Sequence, residues 1–186
     1  MPVQVASGAI AFSAVVTRVI DRLAQKVAAY SAVATANNPL LDPAGQTLRI
    51  RLCLKPESDI KTYLSEEGYV VRVRPAVPYK DSGGGRHDYR VSRFVDVFVI
   101  TQSLTDVGGR DDAAAIAHLD REDLVLDAVH DQPPVGEPNN TRLPVTFKWV
   151  PGGEEIVRMM DIDPGLIVSC LCFESIYRQP FLVNRD

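Results

Sequence analysis

The sequence has few cysteines and no long apolar run. Its 186 residues include three cysteines, an odd number that argues against a disulfide framework. No apolar run approaches the roughly 20 residues that a membrane-spanning helix needs. The apolar N-terminal stretch 1–19 has no basic residue before its apolar part, as a secretory signal would have. These features predict a protein that is made in the cytoplasm and has no membrane partner.

Motifs for metal binding and covalent chemistry are also scarce. Cys170 and Cys172 share one face of a strand-like run, but a closed zinc site needs about four ligands and no second cysteine pair occurs. Asp161 and Asp163 suit a divalent cation, yet Asp-Pro-Gly after them is ordinary turn chemistry. No G-x-S-x-G nucleophile motif is present. We therefore expect buried thiols, a turn, no cofactor, no metal and no enzymatic activity.

Nucleotide-binding motifs are missing as well, although one loop is rich in glycine. The stretch SGGGRHD, residues 82–88, lacks the G-x-x-x-x-G-K-[ST] spacing of a phosphate-binding loop. It also precedes a strand, whereas phosphate-binding loops follow a strand and open a helix. The sequence raises a different question here, namely why its most flexible loop leads directly into its longest strand.

The rest of the sequence has the composition and patterning of one ordinary globular domain. It is 46% hydrophobic and 24% charged. Periodicity predicts helices at about 10–35, 56–68 and 111–131, and strands at about 47–54, 69–75, 89–103, 145–150 and 165–178. Regular βαβ alternation is missing. The order predicts an α+β fold: a mixed or mostly antiparallel sheet of about 4–5 strands with two main helices packed on one face.

Domain organisation follows from the same pattern. We expect a single domain over residues 1–186, because the chain has one ordinary domain's length. A flexible loop is expected at 76–88, and a proline-rich insert at 132–144.

Side-chain alternation predicts how the main strands are placed. In 89–103, Val97 and Val99 share one face, whereas Phe98 shares the other with Asp96, so this strand is predicted to be central. In YVVRVRP the apolar side chains are predicted to point inward, and Arg72 and Arg74 outward. Within the helix predicted at 111–131, Asp120 is a candidate N-cap.

Charge is unevenly distributed along the chain. Residues 49–93 carry 10 Lys and Arg against 6 Asp and Glu, whereas residues 106–131 carry 2 against 8. Such asymmetry bears on partners and association. A solvated acidic helix face explains the second segment equally well.

Nucleic-acid binding is one interpretation of the basic segment. Its arginines would form one stripe if the strands that carry them were paired, and a phosphate backbone binds such a stripe: Arg49, Arg51, Arg72, Arg74, Arg86, Arg90 and Arg93. The net charge of −4 and the lack of exposed aromatic residues on these strands argue against this alternative.

Six segments follow one another over most of the chain: VVTRVIDRLAQKVAAY, LRIRLCL, YVVRVRP, HDYRVSRFVDVFVITQSLTD, DREDLVLDAVHD and GLIVSCLCFESIYR. Their order resembles that of tailed-bacteriophage tail terminators and related tail-completion (neck) proteins. Within these segments, His87, Asp88 and Tyr89 fit an HDY segment that often precedes the central strand in this family. The long insert QPPVGEPNNTRLPVTFKWVPGG and the helix-like KPESDIKTYLSEEG depart from the family pattern.

The resemblance implies a structural virion protein rather than an enzyme. Proteins of this family form a homo-oligomeric ring, usually a hexamer, which terminates the tail tube, contacts the tail tube protein and joins the head-completion (connector) protein. They are located in the tail or neck of the virion, and DNA only passes through them. Another neck or tail-tube component is the alternative within this class.

Two sets of residues receive roles from this resemblance. The glycine loop and the basic strands are expected at the assembly interface: Gly83, Gly84, Gly85, Arg86, Arg49, Arg51, Arg72 and Arg74. Acidic side chains are expected to line the channel, where they would repel DNA phosphates: Asp111, Asp112, Asp120, Glu122, Asp123, Asp127 and Asp131. Ordering a mobile loop costs about 1–2 kcal/mol of free energy per residue. If the loop orders only against the correct neighbour, this cost makes assembly selective for that neighbour.

Overall fold

The computed structural model describes residues 12–37, 49–53, 67–78, 90–103, 112–129, 147–158, 160 and 162–178. The helices and strands in these ranges are α1 (Phe12–Asn37), β1 (Arg49–Cys53), β2 (Gly68–Val73), β3 (Val77–Pro78), β4 (Arg90–Gln102), α2 (Asp112–Val129), β5 (Phe147–Val150), α3 (Gly153–Arg158) and β6 (Leu166–Arg178).

One mixed sheet organises the fold. Its strand order is β1-β2-β4-β6-β5, and the short β3 pairs with β4. Only β1 and β2 are parallel, whereas the other pairs are antiparallel. The 13-residue strands β4 and β6 pair over their whole length, which places β4 in the middle of the sheet. The fold is α+β with a mixed sheet, as the sequence predicted.

Both long helices pack on the same face of the sheet, which we call the helical face. Alternation directs the odd-numbered residues of β2, β4 and β6 to this face, including Val71, Val97 and Phe173. Val15, Val19 and Leu23 of α1 and Val125 of α2 cover them. The ion pair between Lys26 Nζ and Asp127 Oδ2, 2.8 Å long, joins the two helices at their surface.

Among the described residues, one short helix covers one end of the opposite face. Its even-numbered side chains include Val70, Phe98 and Cys170, which form a second apolar cluster with Ile156 of α3. Because α3 has only six residues, it covers only this end. At the other end, Val77 and Ile176 are 51% and 42% exposed.

Gly153 allows α3 to pack closely on the sheet. A Cβ atom at this position would lie 1.7 Å from the carbonyl oxygen of Cys170, so only glycine lets the backbone of α3 approach β6 this closely.

Most of the predicted elements are present, with two corrections. Asp120 is not an N-cap, because α2 runs without interruption from Asp112 to Val129. Arg72 does not point into solvent: it is 4% exposed, because the second face of β2 is buried too. Most of the predicted helix at 56–68, most of the loop at 76–88 and all of the insert at 132–144 lie outside the described residues.

In the described part of the chain, no helix is both long enough and apolar enough to cross a membrane.

Candidate functional site

A buried ion cluster lies on the opposite face, where β2 pairs with β4. The carboxylate of Asp96 is fully buried and receives a hydrogen bond of 2.7 Å from Arg72 Nε. Arg74 donates two more, from Nε to Oδ2 and from Nη2 to Oδ1, each 2.8 Å long. These hydrogen bonds to the Asp96 carboxylate raise the pKa of Arg74. Two guanidinium groups thus donate to the one carboxylate of Asp96.

Two thiols border this cluster. Cys170 and Cys172 lie on one face of β6, as predicted, with their sulfur atoms 3.8 Å apart. Their sulfurs and a carboxylate oxygen of Asp96 lie within 4.8 Å of one another. However, both oxygens of Asp96 accept hydrogen bonds from guanidinium groups, and the nearby cations oppose a metal ion.

The chemistry of the thiols agrees with a structural role. The hydrogen bond between the two thiols, together with burial, raises the pKa of Cys170 far above its usual range. A thiol must lose its proton to ligate a metal or to act as a nucleophile. The arrangement therefore favours packing over metal binding or catalysis.

A polar network on the helical face contains a histidine and a serine. His118 of α2 is buried; its Nε2 lies 3.0 Å from Ser169 Oγ, and its Nδ1 lies 2.9 Å from Thr101 Oγ1. Arg121 Nη1 donates to the same Thr101 oxygen at 2.8 Å and to Glu67 Oε1 at 2.6 Å. The network ties α2 to β4, β6 and the start of β2.

This network lacks the parts of a serine hydrolase. Nδ1 of His118 faces a hydroxyl group, whereas a catalytic base is oriented by a carboxylate at this position. Burial lowers the pKa of His118, and Arg121 lowers it further although Glu122 opposes the change. An imidazolium ion is thus disfavoured here. A cavity of about 780 Å³ adjoins Ser169 at the end of β6 that β5 does not cover.

The predicted interface arginines occupy different environments. Arg72 is buried on Asp96, and the side chain of Arg74 is 34% exposed. Arg51 is half-buried on the same face. Arg93 lies on the helical face instead, where its guanidinium is 5.0 Å from the ring centre of Phe12. The described arginines therefore do not form the single stripe that nucleic-acid binding would use.

The described acidic side chains are distributed around α2. Asp112 and Asp123 are exposed, and Asp127 is paired with Lys26. Glu122 Oε1 lies 3.6 Å from His118 Nε2, and Asp120 is half-buried. Two large apolar side chains that the prediction did not include lie among these acids: Ile116, 58% exposed, and Leu119, 60% exposed.

Other predicted site residues fall outside the described part of the chain. These are Gly83, Gly84, Gly85, Arg86, Asp111, Asp131 and the side chain of Arg49. Of the pair suggested for a cation, Asp163 is described and forms a turn, since its Oδ1 accepts a hydrogen bond of 2.8 Å from the amide of Gly165. The turn prediction is confirmed for this residue.

The comparisons with known proteins add no relative. No protein-family model matches the chain, and no curated protein matches it significantly.

Proposed function

We propose that this protein is a structural subunit of a tailed-phage virion, a tail terminator that assembles into a ring at the end of the tail tube. The ring, with six copies expected, stops tube growth and joins the tube to the head connector. The order of the sequence segments motivates the proposal, and the α+β fold with two long helices on one face agrees with it.

One structural observation carries the proposal: exposed apolar side chains lie on two opposite sides of the fold. Ile116 and Leu119 lie on the outside of α2, above the helical face. Val77 and Ile176 lie on the opposite face, 51% and 42% exposed. Apolar groups rimmed by polar ones mark contact surfaces. Two different surfaces on opposite sides suit head-to-tail pairing, which produces rings when the rotation closes.

We expect the glycine loop to act in this assembly through the central strand β4. β4 begins at Arg90, directly after the loop, and pairs with β2, β3 and β6. A loop that orders against a neighbour would thereby be attached to the most extensively paired strand of the subunit. This attachment would transmit a contact at the loop to the whole sheet.

Labelling of virions tests the proposal. We expect gold-labelled antibodies against this protein to bind at the head–tail joint of mature particles. Open tubes formed by the purified protein would instead indicate a tail-tube component. Mature particles without the protein at the joint would contradict the proposal.

The nucleic-acid alternative is less well supported by the described residues. Arg72 and Arg74 bind Asp96, and Arg93 lies on the other face of the sheet. Filter binding to DNA distinguishes this alternative, because a phosphate-binding protein loses affinity steeply as the salt concentration rises.

The channel-lining role of the acidic residues stays a prediction.

A further inference from the structure

We infer that copies of this chain join head to tail through α2 of one copy and the uncovered end of the sheet in the next. This inference rests on the proposed ring and names the two surfaces that form its joint. We call these surfaces the outer stripe and the open patch. The outer stripe consists of Asp112, Ile116, Leu119, Asp123 and Asp127, and the open patch of Arg74, Val77, Phe94, Lys148 and Ile176.

The outer stripe is a continuous line along α2. Its members recur at spacings of four and three residues, which places them on one side of a helix. Ile116 and Leu119 are more than half exposed, with Asp112 on one side of them and Asp123 on the other. A channel wall that only repels DNA needs no apolar pair at its centre. A protein contact does, because burial of such side chains supplies its free energy.

The open patch has a matching apolar centre. Val77 pairs with Ser92, and Ser92 pairs with Ile176, so the three residues form one row across β3, β4 and β6. Neighbouring strands are about 4.8 Å apart, which separates Val77 from Ile176 by about 10 Å. That is about the width of a helix with its side chains. The half-buried ring of Phe94 lies in the next row.

Cationic side chains lie at both ends of this next row. Phe94 pairs with Glu174, and Glu174 pairs with Lys148 of β5, which is exposed. At the other end, the amide of Arg74 donates a hydrogen bond of 3.0 Å to the carbonyl oxygen of Phe94. Glu174, which lies between Phe94 and Lys148 in this row, accepts a hydrogen bond of 2.7 Å from Ser92 Oγ.

The two surfaces match in charge and in length. Arg74, whose side chain is 34% exposed, is the cation at this end of the row. Arg74 and Lys148 are three strand spacings apart, about 14 Å. Asp112 and Asp123 are eleven residues apart on a helix, about 16 Å. A helix that crosses the strands with Asp123 at Lys148 therefore places its other end near Arg74 and its apolar pair at the centre of the patch.

The joint is asymmetric, which makes a decisive mixing experiment possible. In Leu119→Asp the stripe is defective and the patch is intact, whereas in Ile176→Asp the patch is defective and the stripe is intact. Both side chains are exposed, so we expect circular dichroism and melting temperatures to match those of the wild type. We expect each variant alone to associate at least tenfold more weakly. An equimolar mixture should form two-copy complexes that grow no further.

A charge exchange provides a second, independent test. Asp123→Lys and Lys148→Glu should each weaken association, and the double variant should recover it because the new charges again pair across the joint. Leu52→Asp is the matched control, since Leu52 is an exposed apolar residue outside both surfaces, at 45% exposure. It should associate as the wild type does. All species are measured by light scattering after size-exclusion chromatography, over a range of concentrations.

The outcomes separate this inference from the proposed function. If the wild type forms rings and all of these variants form them equally well, the two surfaces are wrong while the ring stands. If the wild type stays monomeric at every concentration, the ring and the joint are both overturned. Two-copy complexes from the mixture, with recovery in the double variant, support the joint.

Discussion

Arg74 holds Asp96 by two hydrogen bonds, from Nε to Oδ2 and from Nη2 to Oδ1, each 2.8 Å long. Arg74 directly follows β2, and Asp96 lies in the neighbouring strand β4, where it is fully buried. Arg72 donates to the same carboxylate. The cluster thus fixes β2 against β4 at the centre of the fold and leaves a cation at the edge of the open patch.

Removal of the negative charge should therefore destabilise the subunit strongly. In Asp96→Asn, two neighbouring guanidinium groups lose the anion that compensates them, one of them fully inside the sheet. We expect the free energy of unfolding to fall by about 3–5 kcal/mol, measured by urea denaturation. Glu155→Gln, an exposed carboxylate on α3 outside both joint surfaces, is the control and should change it by about 0.5 kcal/mol or less. Equal stability of the two variants would contradict the role given to the cluster.

The sequence predicted this region only in part. Strand alternation placed Val97 and Phe98 on opposite faces of a central strand correctly, because a period of two follows from backbone geometry. Alternation does not reveal whether the second face is covered. Arg72 was expected in solvent for that reason. The available signal was Asp96, the one polar residue in the run 94–100 of the central strand, since such a carboxylate requires cationic partners.

The exposed apolar surfaces are even harder to predict from the sequence, because they depend on tertiary structure. The acidic residues of α2 were visible in the sequence, but the exposure of Ile116 and Leu119 follows from which side of the helix packs on the sheet. The network around His118 joins α2 to β4 and β6, which are distant in sequence. Contacts of this kind follow from how the helix lies across the sheet, which no local pattern specifies.

His118 should make stability depend on pH. Burial lowers its pKa in the folded protein below the value near 6.5 of the unfolded chain, so the folded state binds fewer protons. The stabilisation that the neutral His118 ring contributes is fully present above pH 6.5 and is lost as the pH falls below 6.5. We expect the wild type to lose unfolding free energy between pH 7.5 and 5.5 through this residue.

The variant His118→Gln isolates this effect from other titrating groups. Glutamine keeps a polar group near Thr101 and Ser169 but does not titrate. We expect it to be less stable than the wild type at pH 7.5 and to show a flatter dependence of unfolding free energy on pH. An unchanged slope between pH 7.5 and 5.5 would show that His118 does not titrate in this way.

Gly153 should tolerate no side chain. Its missing Cβ would lie 1.7 Å from the backbone oxygen of Cys170, and a backbone atom cannot rotate away. We expect Gly153→Ala to displace α3 and to lower stability by about 2 kcal/mol, measured by thermal and urea unfolding. Gly165→Ala is the matched control: its nearest neighbour is the side-chain oxygen Oδ1 of Asp163 at 3.3 Å, which is able to move. A loss of equal size in both variants would contradict the close approach of α3.

The glycine loop should matter for assembly rather than for folding. Replacement of Gly83, Gly84 and Gly85 by alanine restricts the conformations that the loop can adopt. We expect the variant subunit to fold with a wild-type melting temperature and to form fewer rings, measured by light scattering. If ring formation is unchanged, the loop serves only as a spacer between its flanking segments.

The central claim is that the chain recognises copies of itself, and native mass spectrometry of the purified protein tests it most directly. We predict one closed species with a mass of about six times 20.4 kDa, which persists on dilution and does not grow into longer polymers. A monomer at every protein and salt concentration, with no complex of any size, would contradict the account.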